Sequence, residues 1–152
     1  MKTVLFTGAT GLLGRYFFKN PPASYKLIGT YNKISNIKKK DFFKLEITNK
    51  NEVLSLFEKV SPDIVIHAAS LGNVDYCEAH KKEAVEVNIK GTDNVLYACR
   101  KIGAKIIFTS SNAVYDGEKP PYSENSPTNP LDVKEKQTSR LKNMLRKAGW
   151  HT

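Results

Sequence analysis

Three glycines at a fixed spacing constrain this chain more than any other feature. Gly8, Gly11 and Gly14 stand in the run Gly-Ala-Thr-Gly-Leu-Leu-Gly. The run follows Lys2–Thr7, whose Val, Leu and Phe read as a buried strand, and it opens a stretch from Leu12 to Lys19 with helical spacing. In a strand–turn–helix of this kind the first glycine permits the tight turn. The second lets an anionic group approach the backbone, and the third lets the helix press on the strand. The helix N-terminus adds N–H donors and the positive end of its dipole. Gly8, Thr10, Gly11, Leu12, Leu13 and Gly14 are therefore candidate contacts for a pyrophosphate.

The rest of the chain continues the alternation. Asn20-Pro21-Pro22 ends the first helix. Lys26–Tyr31 and Phe42–Leu45 read as the second and third strands. Asn49 or Asn51 caps a helix with Val53, Leu54, Phe57 and Val60 on one face, stopped before Ser61-Pro62. Asp63–His67 is a fourth strand. One long helix is predicted from Ala79 to about Ile102, closed by Gly103, and Ala104–Thr109 is a fifth strand. Residues 112–132 form a long loop rich in Pro, Ser and Asn. A last helix runs from about Lys134 to Lys147, and Gly149-Trp150-His151-Thr152 reads as the approach to a sixth strand. The strands are apolar throughout rather than alternating. That pattern predicts an α/β fold, a doubly wound parallel sheet with helices on both faces.

Charge narrows the class of ligand. Across 152 residues, 24 Lys and Arg face 15 Asp and Glu, a net charge of +9. Residues 1–40 contribute +8 and hold no acid, residues 41–132 contribute −4, and residues 133–152 contribute +5. No nucleic-acid motif or aromatic–basic interleaving accompanies this charge. The expectation is a basic surface near a small anionic ligand, not a nucleic-acid interface. No apolar run approaches the roughly 20 residues of a membrane span, and the N-terminal apolar stretch is too short for a secretory signal. The expected location is cytoplasmic, with Cys77 and Cys99 as reduced thiols. Cys77 and His80 have ligand-like spacing, but no second pair supports a metal, and none is expected. Cys99 faces the core of its helix. His67 reads as a cofactor-lining or structurally satisfied histidine rather than a general base. Asp75 and Tyr76 either touch a substrate or cap the following helix.

The second strand ends in Gly29-Thr30-Tyr31-Asn32-Lys33, without the Asp or Glu that holds a free ribose 2′-OH. Arg15 and Lys33 can instead meet a 2′-phosphate, so NADP is expected ahead of NAD, with NAD left open. Together with the glycine turn, His67-Ala68-Ala69-Ser70, Val87-Asn88 and the run Thr109 to Gly117 resemble the extended short-chain dehydrogenase/reductase family. The stretch Val114–Pro130 narrows the resemblance to the dTDP-4-dehydrorhamnose reductase group. The resemblance implies a Rossmann-type fold and NAD(P)H-dependent reduction of a nucleotide-linked 4-keto sugar. It also implies that Ala68, Ala69 and Ser70 line the cofactor, that Glu46 lies near the adenine and that Asn88 holds the long helix against the neighbouring strand. Ser111 falls at the position that hydrogen-bonds the substrate carbonyl. The same group resembles regulatory subunits of methionine adenosyltransferase, so a non-catalytic cofactor-binding or regulatory subunit is the alternative.

Two features depart from the family. Its catalytic Tyr, and the Lys four residues later, fall here at Lys134 and Thr138. The resemblance also places the substrate-binding part in the C-terminal half of longer chains. The expectation is therefore an incomplete Rossmann domain over residues 1–152, C-terminally truncated and weakly active or inactive, with a homo-oligomer or a partner subunit possible. Residues 134–142 are unlike the family, whereas Asn143–Thr152 resembles it again. Permissible codons for that stretch, read from the third base, spell Gly-Lys-Thr-Asn-Phe-Glu-Ala-Glu, which resembles the family segment. A compensated frame slip, true divergence and a chance match are the three accounts of it.

Overall fold

The computed structural model describes residues 1–33, 40–123 and 125–147. The glycine turn joins β1 (Lys2–Thr7) to α1 (Leu12–Lys19). With β2 (Tyr25–Tyr31), β3 (Phe42–Lys44), β4 (Ile64–His67) and β5 (Lys105–Phe108), β1 forms one parallel sheet in the order β3-β2-β1-β4-β5. Strand order reverses at β1. In a doubly wound sheet that reversal opens a crevice at the C-terminal strand ends.

Register sorts the apolar residues onto two faces. Leu5 lies beside Ile28 and Val65, and Val65 lies beside Ile106. This face packs into one core with Val53 and Phe57 of α2 (Lys50–Val60), Val95 and Cys99 of α5 (Thr92–Ile102), and Leu145 of α6 (Val133–Lys147). On the other face Phe6 meets Phe17 and Phe18 of α1, with ring centroids 5.4 and 6.3 Å apart. Helices thus cover both faces, as the continuous apolar strands predict. The α1 face is open toward β5. Ile66 sits beside Phe6 and is half-buried, and Ile107, next in register, is 53% exposed.

Asn49, not Asn51, caps α2. Its side chain accepts from the N–H groups of Asn51 and Glu52, and Glu52 Oε1 accepts from Asn49 Nδ2 at 2.9 Å. The long helix predicted from Ala79 is divided. Asn73 caps a separate α3 (Val74–Ala79) by accepting from Tyr76 N–H at 2.7 Å, and His80 breaks it at φ −125°, ψ 52°. α4 (Lys81–Ala84) restarts and passes through π-helical turns, Val85–Gly91, into α5. Apolar spacing alone does not register an interruption that lies between two helices sharing a buried side. Asp75 and Tyr76 lie within α3 and do not cap the helix that follows, whose N-cap position is His80, with no side-chain cap bond.

α6 starts at Val133, where Asp132 Oδ1 accepts from Glu135 N–H at 2.8 Å. It buries Glu135, Gln137, Ser139 and Lys142. Glu135 Oε2 and Gln137 Nε2 are buried without a partner among the described residues. All four lie in the stretch that departs from the family. The expected approach to a sixth strand, residues 149–152, lies outside the described residues. Among those described, no helix is long and apolar enough to cross a membrane.

Candidate functional site

The site grows from the glycine turn. Gly8 has φ +72°, and a Cβ there would lie 2.9 Å from the backbone N and Cα of Ala69. A side chain is excluded by conformation and by contact alike. Gly11 N–H donates to Gly8 O at 3.0 Å. At Gly14 a Cβ would come within 2.5 Å of Ala9 Cα and O, so α1 can sit this close to the turn only without one. No side chain caps α1. By helix geometry the first-turn N–H groups, including those of Leu12 and Leu13, have no intrahelical acceptor. They form an anion-binding end at the strand-order reversal.

Of two adjoining cavities the larger reaches this turn, and the two share Ala68, Ala69, Ser70 and Leu71. The larger, about 340 Å³, is lined by Gly8, Thr10 and Gly11 and, toward β2 and β3, by Lys33, Glu46 and Ile47. Glu46 accepts from Asn32 Nδ2 at 2.7 Å and from the N–H and hydroxyl of Thr48 at 3.1 and 3.0 Å. Burial works to raise its carboxyl. Those hydrogen bonds and the Lys33 charge outweigh it and hold the group below its usual value. Lys33 Nζ is 4.0 Å from Glu83 Oε1, both side chains being exposed. The β2 end therefore carries mixed charge. The sequence places no acid before Asp41, yet the fold returns Glu46 from beyond β3 and Glu83 from α4. Arg15 does not line this cavity; its Nε donates to Thr10 O at 2.8 Å. Leu12, Leu13 and Gly14 also lie outside both linings, on the first turn of α1.

The smaller cavity, about 180 Å³, brings Asn88, Ser111, Lys134 and Thr138 together beside Ala68–Ser70. Ser111 Oγ accepts from Ala113 N–H at 3.2 Å, capping a 3₁₀ turn at Asn112–Val114 and leaving its own proton for another acceptor. Lys134 Nζ lies 2.7 Å from Glu135 Oε1, with side chains 20% and 3% exposed. The Thr138 hydroxyl donates to Lys134 O at 3.1 Å. Among the described residues, no tyrosine lines this cavity.

Asn88 acts differently from the sequence expectation. Its Oδ1 accepts from Leu71 N–H at 2.8 Å, and its Nδ2 donates to Leu71 O at 3.3 Å and to Gln137 Oε1 at 2.8 Å. It clamps the loop after β4 and ties that loop to α6, rather than holding a helix to a strand. Asn88 sits in the π-helical turns, Val85–Gly91.

His67 lies buried beneath both cavities' shared wall and lines the smaller one. Its Nδ1 is 2.6 Å from Thr7 Oγ1 and its Nε2 is 2.9 Å from Thr92 Oγ1. Burial pushes its pKa down to about 4. Cys99 is buried as expected, and burial pushes its thiol up to about 12. Cys77 points inward and donates to Leu71 O at 3.4 Å, whereas the exposed His80 ring stacks on Tyr76 at 4.1 Å. Among the described residues, no three His, Cys, Asp or Glu side chains gather to hold a metal.

Sequence reading missed how the long loop is held. The Tyr115 and Tyr122 rings stack 4.5 Å apart, and Lys142 Nζ donates to Tyr115 OH at 3.0 Å. Asp116 accepts from Tyr122 OH at 2.6 Å, Asn129 Nδ2 at 3.0 Å and Glu118 N–H at 3.0 Å. Those bonds, the tyrosine's first, hold its carboxyl down to about 2. The recurrence of Tyr within a Pro-rich loop was the available signal.

Comparison with known proteins fits this geometry. The chain is 32% identical over 133 residues to methionine adenosyltransferase 2 subunit beta of Bos taurus, covering 87% of this chain and 39% of that protein. It is 32% identical over 146 residues to dTDP-4-dehydrorhamnose reductase of Aggregatibacter actinomycetemcomitans, covering 95% and 47%. The crystal structure of dTDP-4-dehydrorhamnose reductase from Bacillus anthracis in complex with NADP superposes with a TM-score of 0.82 at 26% identity, covering 99% of this chain and 51% of that one. The chain thus spans about half or less of the length of each of these proteins. Residues 1–149 match the RmlD substrate binding domain family, and the chain belongs to it.

Proposed function

We propose that this chain is the dinucleotide-binding part of an NADP-linked reductase acting on a nucleotide-linked 4-keto sugar. The observation that carries the reading is the glycine turn with one cavity on each side of it along the strand ends. The cradle fits a dinucleotide. Gly8 leaves no room for a Cβ, the first turn of α1 offers unpaired N–H groups, and the cavities join through Ala68–Leu71. The pyrophosphate belongs on the turn, the adenosine half beside Glu46 and Ile47, and the other nucleotide beside Asn88 and Ser111. Lys33 is the lining residue suited to a 2′-phosphate. When bound, the cofactor supplies hydride to a ketone carbon.

The chain's own residues orient and polarise. The Ser111 proton donates to a substrate carbonyl oxygen and stabilises the negative charge that grows there. Ala68 and Ala69 present backbone without bulk. The alkoxide then needs a proton, and the family's phenol position is occupied by Lys134. Residues 1–152 are read as the dinucleotide-binding part alone, and they span about half the length of the reductases they resemble.

The decisive experiment is a matched-salt titration with NADPH and NADH. NADPH should bind more tightly, Lys33→Ala should narrow the difference, and Gly11→Asp should abolish both. Tighter NADH binding, insensitive to Lys33, would reverse the cofactor assignment. Unchanged binding by Gly11→Asp would remove the site.

A second reading is a non-catalytic regulatory subunit. The open apolar face at Ile66 and Ile107, the absence of a tyrosine among the described residues that line the smaller cavity, and the likeness to methionine adenosyltransferase 2 subunit beta favour it. Cofactor binding without turnover, together with capture of a partner chain that protects Ile107, would distinguish it.

A further inference from the structure

The smaller cavity carries one formal charge in its lining. Among the described residues that line it, Lys134 is the sole Lys or Arg, and there is no Asp or Glu. His67 in the same wall is neutral by proton count. Thr92 gives its hydroxyl proton to Asn88 O at 2.7 Å, so it accepts from Nε2–H, and Nδ1 is left to accept from Thr7. The Lys134 side chain is 20% exposed, so water screens its charge only in part. Its partner Glu135 is buried and outside the lining. The pair is a dipole whose positive member is the one at the cavity.

This cavity lies on the β4–β5 side of the glycine turn. On the nicotinamide-binding reading above, it receives the half of the dinucleotide whose charge depends on redox state. The oxidised nicotinamide ring is a cation, whereas the dihydronicotinamide ring is neutral.

We propose that Lys134 makes the cavity selective for the reduced, uncharged ring over the oxidised, cationic one. Repulsion between two like unit charges in a partly buried site, offset in part by Glu135, supports a preference on the order of tenfold. The preference is a property of binding and needs no turnover. A chain without the family's phenol would still report whether its ligand is reduced or oxidised. The family's lysine falls at the position of Thr138, so here the cation stands one turn earlier on α6, where the family has a neutral phenol.

The test measures dissociation constants of the 152-residue chain for NADPH, NADP⁺ and ADP-ribose 2′-phosphate, which lacks the nicotinamide. NADPH should bind about tenfold more tightly than NADP⁺. Lys134→Gln or Lys134→Met should bring the ratio near one and leave ADP-ribose 2′-phosphate unaffected. Glu135→Gln keeps the lysine charge, removes its counter-charge, and should widen the ratio. Equal binding of the two forms, or a ratio indifferent to both Lys134 variants, overturns the proposal while the fragment's binding preserves the pyrophosphate and adenosine part of the dinucleotide-site reading. Loss of all binding, fragment included, overturns both.

Discussion

His67 donates its Nε2 proton to the hydroxyl of Thr92 across 2.9 Å, and this bond ties the end of β4 to the start of α5. Ala69 N–H donates to Thr7, Thr7 to His67, His67 to Thr92, and Thr92 to Asn88 O. Every donor and acceptor in this chain is used with the imidazole neutral. A second proton would sit on Nδ1, where Thr7 now donates.

The first prediction concerns acid stability. The His67 pKa is lowered from 6.5 to about 4, so between those values the unfolded chain binds a proton that the native chain refuses. The stabilisation is complete above about pH 6.5 and is lost as pH falls toward 4. Its full extent is about 3 kcal/mol. Denaturant unfolding at stepped pH should show this slope, and His67→Gln should flatten it. Asp116 and Glu46 have lowered pKa values, so their contributions are lost at still lower pH.

Thr92→Val keeps shape but removes both the acceptor for His67 and the donor to Asn88 O. One buried N–H is left without a partner, at a cost of about 1–3 kcal/mol. Thr92→Ser should recover most of it. Equal stability of the Val and wild-type proteins in urea would contradict the proton order above.

The three glycines should separate by phenotype. Gly14→Ala drives a methyl into the Ala9 backbone, so it should lower the melting temperature and soluble yield. At Gly11 the nearest atom to a Cβ is Gly8 O at 3.2 Å, a contact that a small shift relieves. Gly11→Asp should therefore fold, yet lose dinucleotide affinity by placing a carboxylate against phosphate. A Gly11→Asp protein as unfolded as Gly14→Ala would show that the turn, not the ligand, demands this glycine.

Turnover of a keto-sugar nucleotide by the 152-residue chain should be low. A positioned acid is worth about 10²–10⁴ in rate. Lys134→Tyr with Thr138→Lys is expected not to rescue residues 1–152 alone, which span about half the length of the reductases they resemble. The same pair in a chimera carrying the C-terminal half of a family member should restore turnover. Robust cofactor oxidation by the unmodified chain, abolished by Ser111→Ala, would identify a different acid.

The sequence by itself determined the β1–turn–α1 unit, the five strands and their burial on two faces. Those follow from local spacing: glycines at every third position, apolar runs without alternation, and Asn49 beside the start of α2. It also marked Ser111, Lys134 and Thr138, by their offsets from a recognisable loop. What the tertiary structure alone decided are relations between distant residues. Glu46 reaches Asn32 across 14 positions, His67 meets Thr92 across 25, and Asn88 meets Gln137 across 49. No spacing rule specifies these contacts, because they depend on which strands are neighbours and in what register. The mixed charge at the β2 end, the tautomer of His67 and the clamp on Leu71 appear only once the sheet has assembled. The π-helical turns at Val85–Gly91 likewise escape a periodicity argument, since their wider turns depart from the 3.6-residue period.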